Sequence, residues 1–332
     1  MMLNNLFHKF ILMNLINFSI IPLFFQDLIM IWFFMEINNF LFINYLCLKL
    51  NNKKLIFLYY LIQIIASLMM IFPLILNNFF MNNMNLMMMI NFYSSMMLKL
   101  GIPPFHLWMP IMSMYMNWNI IFIFLSIQKI IPFYILSMIN AKNLIFYYLI
   151  ISSMFISTYK MINLLNLKIL LTYSSINQTG WMLLLIFLKN MFWLLYMIIY
   201  SLILFILSYF FSLMKFSLSF LINNSFSLNF NLMCLFMIMN LASIPPLSFF
   251  MMKWMNMFVS IFNLNLHLIF ILMIMNSLIL IYIYMNFMIM ILFFYSIKSK
   301  FVIFSMNTKN KNFYTYMFMF INFLMSLFLI MI

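Results

Sequence analysis

Long apolar runs alternate with short polar stretches along the whole chain, which is typical of a protein that crosses a membrane many times. Asn, Lys or Pro bounds each run, and most runs have the roughly 20 residues that a helix needs to cross the hydrocarbon core. The pattern predicts an all-α polytopic membrane protein with about eleven transmembrane helices. Their approximate bounds are 3–23, 27–46, 54–76, 84–114, 118–139, 143–159, 167–188, 191–214, 231–257, 265–295 and 313–332.

Two of these runs are too long for one straight crossing, and each contains the tripeptide Ile-Pro-Pro, at 102–104 and at 244–246. Because proline removes a backbone donor and clashes with the preceding helical turn, both helices are predicted to break there. Inside a bilayer, broken backbone survives only where it is buried in protein or lines a wet cavity. The alternative for the first break is a surface loop with a snorkelling lysine. The predicted helix-breaking residues are Gly101, Pro103, Pro104, Pro245 and Pro246.

Matching proline-broken segments in two halves of a chain favour the inverted-repeat architecture of transporters. We therefore predict one membrane domain, 1–332, with repeat halves at 1–140 and 141–296 and a loop and C-terminal helix at 297–332. A chance match of three residues is the alternative, because isoleucine is abundant here.

Composition supports the membrane class and limits the partners. Hydrophobic residues make up 69% of the 332 positions and charged residues 5%, which leaves no room for a soluble domain. The net charge of +14 comes from dispersed lysines rather than from a basic patch with exposed aromatic residues. Membrane lipids are therefore expected partners, and nucleic acid is not.

The lysines also predict the orientation, because loops on the inner side of a membrane carry an excess of basic residues. With eleven spans, loops on the side opposite the N-terminus hold only Lys142 and Lys189. The abundance of Met, Phe, Ile, Asn and Lys suggests AT-rich codons, with ATA decoded as Met, and hence an organelle gene. The N-terminus is then predicted in the matrix and the C-terminus in the intermembrane space. Loops on the N-terminal side hold Lys49, Lys53, Lys54, Lys160, Lys168, Lys215, Lys298, Lys300, Lys309 and Lys311.

Four ionisable residues fall inside predicted spans: Glu36, Lys99, Lys129 and Lys253. Charges within a membrane are costly, and they usually pair with one another or mark a proton path. A lysine that gains or loses a carboxylate partner can take up and release a proton, and Glu36 is the one carboxylate inside a span. His106 has two interpretations, a group that titrates near neutral pH or a cap on unwound backbone.

Other chemistries lack their residues in this sequence. There is no Gly-rich nucleotide loop and no cysteine framework for an iron–sulfur cluster, and three scattered histidines do not indicate a haem site. One buried carboxylate is also a poor site for a metal cation, which prefers several oxygen ligands. We expect neither a bound cofactor nor a metal in this chain.

Five motifs in order carry a resemblance to a known family over nearly the whole chain. They resemble the subunit 2 family of mitochondrial NADH dehydrogenase, antiporter-like membrane subunits of respiratory complex I, and the composition is similar to the insect members. The motifs are Met35–Asn38, Lys99–Pro110, Gln128–Pro132, Tyr173–Met182, and Ile244–Leu247 with Lys253-Trp254.

The resemblance implies the antiporter-like fold with two inverted five-helix repeats, in the mitochondrial inner membrane. It implies a Glu36–Lys99 pair in the first half, Lys129 between the halves and Lys253 in the distal half. It also implies that FMN, iron–sulfur clusters and ubiquinone belong to other complex I subunits, which would be the partners of this chain. The chain departs from the family at Gln178, where a histidine is common, and at the second break, which lacks a glycine.

We therefore expect a proton-translocating subunit of NADH:ubiquinone oxidoreductase, driven by electron transfer elsewhere in the complex. One alternative is a stand-alone cation/proton antiporter, which would work without NADH. The other is a structural membrane spacer whose buried charges fix helix packing. Against the spacer, three lysines with one carboxylate leave more unpaired charge than packing usually needs.

Overall fold

The computed structural model describes residues 2–79, 86–139, 143–213, 228–245, 247–261 and 267–301. These residues form α-helices and one short 3-10 helix, Ile21–Phe24, and no β-strand occurs among them. Several predicted features lie outside the described residues: Pro246, the helix at 313–332, the segment 302–332, and Lys142, Lys215, Lys309 and Lys311. The helices are α1 (Met2–Ile20), α2 (Leu28–Lys49), α3 (Lys53–Phe79), α4 (Leu86–Leu100), α5 (Trp108–Tyr115), α6 (Trp118–Leu125), α7 (Ile127–Met138), α8 (Asn143–Met161), α9 (Leu167–Phe187), α10 (Phe192–Leu213), α11 (Leu228–Leu241), α12 (Ser248–Ile261) and α13 (His267–Phe301).

Eight segments in the described ranges are long and apolar enough to cross a membrane, and each overlaps one predicted span. The long runs at 84–114 and 231–257 instead contain two shorter helices each, α4 with α5 and α11 with α12. Helix α13 continues to Phe301, beyond its predicted end at 295. The eight segments are Phe7–Phe24, Leu28–Lys49, Lys53–Ile75, Trp118–Met138, Leu144–Met161, Leu167–Phe187, Phe192–Ser212 and His267–Met290.

The span predicted at 118–139 is interrupted at Ser126, which separates α6 from α7. The Ser126 hydroxyl donates to the Phe122 carbonyl at 2.6 Å, a contact that bends helices. Farther along α7, Pro132 has no amide hydrogen to contribute to the helix. The irregular backbone brackets Lys129, one of the predicted site residues.

Helix α9 is the centre of the described bundle. It packs against α5, α6, α7, α8, α10 and α12, and 18 of its 21 residues are buried. Its polar residues face the interior of the bundle, as expected where the surroundings are lipid. On the outside, large apolar side chains such as Phe7, Phe10 and Met13 on α1 are exposed and suit contact with lipid. The buried polar residues of α9 are Thr172, Ser174, Ser175, Asn177, Gln178 and Thr179.

The two Ile-Pro-Pro segments share one backbone geometry in the residues that the structure describes. Helix α4 ends in a left-handed residue, Gly101 at φ 63°, and α11 is followed by another, Ser243 at φ 58°. The next amide in each turn bonds back across the helix end: Ile102 N to Met97 O at 2.9 Å, and Ile244 N to Met239 O at 3.4 Å. This is the Schellman termination of a helix. The two turns therefore end their helices in the same way.

Candidate functional site

Glu36 and Lys99 form an ion pair between α2 and the last turn of α4. The distance from Lys99 Nζ to Glu36 Oε1 is 2.9 Å, and the Lys99 side chain is 2% exposed against 28% for Glu36. Asn39 donates to the same carboxylate oxygen at 3.4 Å, and the Met35 sulfur lies 3.3 Å from the ammonium. The structure thus brings together the two residues that the sequence predicted as a pair.

Lys129, in the first turn of α7, is 2% exposed and has hydroxyl and carbonyl partners in place of a carboxylate. Its Nζ donates to Ser175 Oγ at 3.1 Å, and the Ser175 carbonyl oxygen lies at 3.5 Å. The chain has two acidic residues, Asp27 and Glu36, and Glu36 already pairs with Lys99. The charge of Lys129 is therefore met by dipoles alone.

A small cavity lies between Lys99 and Lys129, and both lysines line it. Its polar wall includes Asn39, Gln63 and Gln128. The space open to the centre of a water molecule is about 10 Å³, which is room for about one water. The Gln128 side-chain nitrogen is buried there without a hydrogen-bond partner in the structure. A water molecule in this cavity has the polar partners it needs to link the first ion pair to Lys129.

Polar side chains continue from Lys129 along α9. The Gln178 carbonyl accepts a hydrogen bond from the Tyr196 hydroxyl, and both amide atoms of Asn177 are buried without a partner among the described residues. Tyr200 of α10 lies beside Ser175 and close to Tyr284 of α13. Buried polar groups of this kind normally bind ordered water. The interior beside α9 therefore holds several buried polar groups that can bind water.

Lys253 in α12 reaches the same helix farther along. It is 3% exposed, its Nζ donates to Ser243 Oγ at 2.7 Å, and it lies 5.8 Å from the centre of the Trp181 ring. An ammonium at this distance from an indole face gains a cation–π interaction. Ser175 and Trp181 are separated by about 9 Å of rise along α9. Helix α9 thus connects the surroundings of Lys129 and Lys253.

His106 lies apart from these groups, in the turn between α4 and α5. Its ring is buried, 6.1 Å from the Tyr173 ring, and the Pro104 carbonyl and Lys160 are nearby. Neither ring nitrogen has a hydrogen-bond partner of good geometry among the described residues. His106 does not line the cavity between Lys99 and Lys129, so the structure does not bring it to the predicted relay.

The four ionisable residues were visible in the sequence because each interrupts an apolar run, whereas their hydroxyl and amide partners were not predicted. Ser175 and Gln178 belong to a quoted motif, and the concentration of polar residues in that motif was the available signal. Ser243 was detectable by aligning the two Ile-Pro-Pro segments, which places it opposite Gly101.

Comparisons with known proteins agree with this architecture. No family model matches the chain. Two solved structures resemble its fold: respiratory complex I from Thermus thermophilus with bound aureothin, at a TM-score of 0.67 and 15% identity, and an archaeal membrane-bound sulfane sulfur reductase, at 0.63 and 14%. The matches cover 80% and 77% of this chain, and 65% and 60% of the solved chains, which is less than two thirds of each.

Sequence relatives are more specific. NADH-ubiquinone oxidoreductase chain 2 of Artemia franciscana is 28% identical over 236 residues, 70% of this chain and 73% of the relative. The protein of that name from Suncus etruscus is 32% identical over 210 residues, 59% and 60% of the two chains. The one from Anopheles gambiae is 31% identical over 243 residues, 68% of each chain. Similarity of this extent, on an all-helical membrane fold, shows that the chain belongs to the NADH-ubiquinone oxidoreductase chain 2 family.

Proposed function

We propose that this chain is a proton-translocating membrane subunit of NADH:ubiquinone oxidoreductase, EC 7.1.1.2, in the mitochondrial inner membrane. Family membership supports its place in that complex, beside other membrane-arm subunits. The observation that carries the proton-transfer role is the Glu36–Lys99 pair facing Lys129 across a water-sized polar cavity. An isolated ion pair used for packing has no need of a second buried lysine across a polar cavity.

The proposed path runs from Glu36 and Lys99, through the cavity, to Lys129. From there it follows the polar side of α9 to Lys253. Because Lys99 alone has a carboxylate partner, positive charges on neighbouring buried lysines repel, and a proton on one lysine disfavours a proton on the next. Opening the Glu36–Lys99 pair would therefore change the charge that Lys129 can carry, and the change can pass along the chain.

Electron transfer belongs to other subunits in this proposal. The sequence has two cysteines and three histidines and no Gly-rich nucleotide loop, so FMN, iron–sulfur clusters and ubiquinone are assigned to the partners. Their redox chemistry supplies the energy, and the residues of this chain hold and move protons.

The finer architecture is also part of the proposal. We take α4 with α5 and α11 with α12 as two broken membrane helices, and eleven spans in total. The repeat halves are 1–140 and 141–296, and the matching left-handed turns at Gly101 and Ser243 support them. The lysine distribution supports a matrix N-terminus and an intermembrane-space C-terminus.

Native electrophoresis of gently solubilised inner membrane tests the assignment to the complex. We expect mass spectrometry to find this chain in the large band that stains for NADH oxidation. A chain that migrates alone or in a small assembly would instead support the stand-alone antiporter, and a cation-dependent proton flux should then be measured.

A further inference from the structure

We infer that Ser243 is a positioning residue for Lys253. Ser243 lies in the second Ile-Pro-Pro turn, which follows α11 and is called the second turn below, and its hydroxyl holds the Lys253 ammonium in place for proton transfer. This inference rests on the proposed proton-transfer role of Lys253. It also gives a reason for a serine at a backbone position that favours glycine.

The backbone of Ser243 lies in the left-handed region, at φ 58°. Residues with a Cβ rarely adopt this conformation, because the Cβ approaches the following carbonyl oxygen. The corresponding residue of the first turn is Gly101, at φ 63°. A serine in the second turn therefore costs free energy that a glycine would not, and its side chain should contribute something in return.

The Ser243 side chain contributes two consecutive hydrogen bonds, from Lys253 to Ser243 and from Ser243 to Ala242, and both side chains are buried. Lys253 Nζ donates to Ser243 Oγ at 2.7 Å, and the Ser243 hydroxyl donates to the Ala242 carbonyl. Ser243 is 2% and Lys253 3% exposed, so bulk water does not compete for either group. A hydroxyl can donate one hydrogen bond and accept two, and this arrangement uses its one hydrogen and one of its two lone pairs.

The same hydroxyl can adapt to either protonation state of Lys253. When the ammonium gives up a proton, the neutral amine gains a lone pair, and the Ser243 hydroxyl can turn from the Ala242 carbonyl to donate to it. The backbone of the turn then keeps its shape while the hydrogen bond changes direction. A glycine at this position offers no such partner.

Asn240 holds the start of α12 close to the end of α11, and so keeps Lys253 near Ser243. Its side-chain oxygen accepts from Ser248 Oγ at 3.2 Å and from Phe249 N at 3.3 Å. Both donors lie in the first turn of α12, the helix that carries Lys253. The start of that helix is therefore tied to the end of α11, and Lys253 is held within reach of the turn.

The experiment uses the complete complex, reconstituted into sealed phospholipid vesicles. Ser243→Gly removes the hydroxyl and relaxes the backbone, whereas Ser243→Ala removes the hydroxyl and keeps the strained conformation. Lys189→Gly is the matched control, because Lys189 is also left-handed, at φ 53°, and lies in the loop between α9 and α10. For the wild type and each variant we would measure assembly, NADH:ubiquinone reductase activity and the protons moved per NADH. Cryo-electron microscopy would give the position of the Lys253 side chain.

We expect both Ser243 variants to assemble and to move fewer protons per NADH, while Lys189→Gly keeps the wild-type ratio. The fraction of Lys253 ammonium groups seated at the turn should fall by about tenfold, the effect of losing one hydrogen bond to a charged group. In a Lys253→Met background, Ser243→Gly should lower the ratio no further, because the residue acts through Lys253.

A wild-type proton ratio in Ser243→Gly overturns the inference, and so does an ammonium that stays at the turn in that variant. An equal loss with and without Lys253 also overturns it, because Ser243 would then act on the fold alone. If Ser243→Gly does not assemble, Ser243→Ala decides by the same measurements. A wild-type ratio in Lys253→Met is a different failure, since it contradicts the proposed role of Lys253 while the ammonium position still tests its contact with Ser243.

Discussion

The two proline turns end their helices with the same backbone geometry at the described residues and differ in charge chemistry. In the first, the lysine precedes the turn and pairs with a carboxylate, Glu36, at 2.9 Å. In the second, the lysine follows the turn and bonds a hydroxyl, Ser243, at 2.7 Å. The comparison shows that the backbone break and the partner of the lysine are separate features. A left-handed residue ends the helix in each turn, and the surrounding side chains determine how a buried charge is held.

This difference gives the two lysines different electrostatic surroundings. Lys99 has a full counter-charge, so the pair is stable when both groups are ionised. Lys253 has a hydroxyl dipole and an indole face, so its charge is less compensated. In the proposed path Lys99 therefore keeps its proton, and Lys253 releases its proton more readily.

The largest effect is expected at Gly101, where the first turn admits no side chain. A Cβ added there would lie 2.0 Å from Met109 Sδ, at a backbone φ of +63°. We expect Gly101→Ala to destabilise the complex by about 2–5 kcal/mol, the combined cost of left-handed strain and overpacking. Loss of the NADH-oxidising band on native gels after mild heating is the measurement.

Gly101→Ala combined with Met109→Ala separates the two causes. It removes the clash and should recover part of the stability, leaving the backbone strain. Gly180→Ala serves as a helical comparison, because its Cβ also meets close neighbours, Met154 and Ser153, without a positive φ. Equal stability of Gly101→Ala and wild type would contradict the requirement for glycine at the first turn.

The second largest effect is expected from Glu36→Gln, which leaves the buried Lys99 ammonium without a counter-charge. Breaking a fully buried pair costs about 3–5 kcal/mol, and the 28% exposure of Glu36 reduces this to about 2 kcal/mol. The double variant Glu36→Gln/Lys99→Met should regain stability, because an apolar group tolerates burial, but should not regain proton pumping. A double variant that pumps normally would contradict the relay role of the pair.

The third prediction concerns Lys129→Ala, which we expect to change stability less than the first two variants and to lower proton pumping clearly. Lys129→Ala removes the lysine that lines the cavity together with Lys99, and the complex should assemble with normal NADH oxidation and fewer protons per NADH. Lys168→Met is the control, since Lys168 donates to the Met116 carbonyl at 2.7 Å, where α5 ends, and lines no part of the cavity. It should lower stability by about 1 kcal/mol and leave the proton ratio unchanged. An unchanged ratio in Lys129→Ala would count against a relay.

The sequence predicted what depends on local contrast. Eight apolar runs overlap the eight observed candidate spans, because run length and a few polar bounds suffice to locate a membrane helix. Glu36, Lys99, Lys129 and Lys253 were predictable for the same reason, since each is a charge in an apolar run.

The rest depends on contacts across space, which a single sequence does not contain. Most serines in this fold donate to a carbonyl of their own helix, so nothing local marks Ser175 as the partner of Lys129, 46 residues away. The break at Ser126 was missed because the whole segment around it is strongly apolar, so hydropathy does not mark the position. His106 was placed in the right turn, but its neighbours there come from α8 and α9.

The smallest effect is expected from Ser175→Ala, which tests whether hydroxyl partners matter outside the second turn. The variant removes the acceptor at 3.1 Å from Lys129 and keeps the Ser175 carbonyl at 3.5 Å, so Lys129 loses one of two partners. We expect a loss of about 1 kcal/mol at most and a decrease in protons per NADH smaller than in Lys129→Ala. Ser201→Ala is the control, because Ser201 is near the surface of α10 and its hydroxyl donates to the Ile198 carbonyl of its own helix. If Ser175→Ala equals or exceeds the loss in Lys129→Ala, the hydroxyl itself is a step of the path, and hydroxyls then act at Lys129 as well as at Lys253.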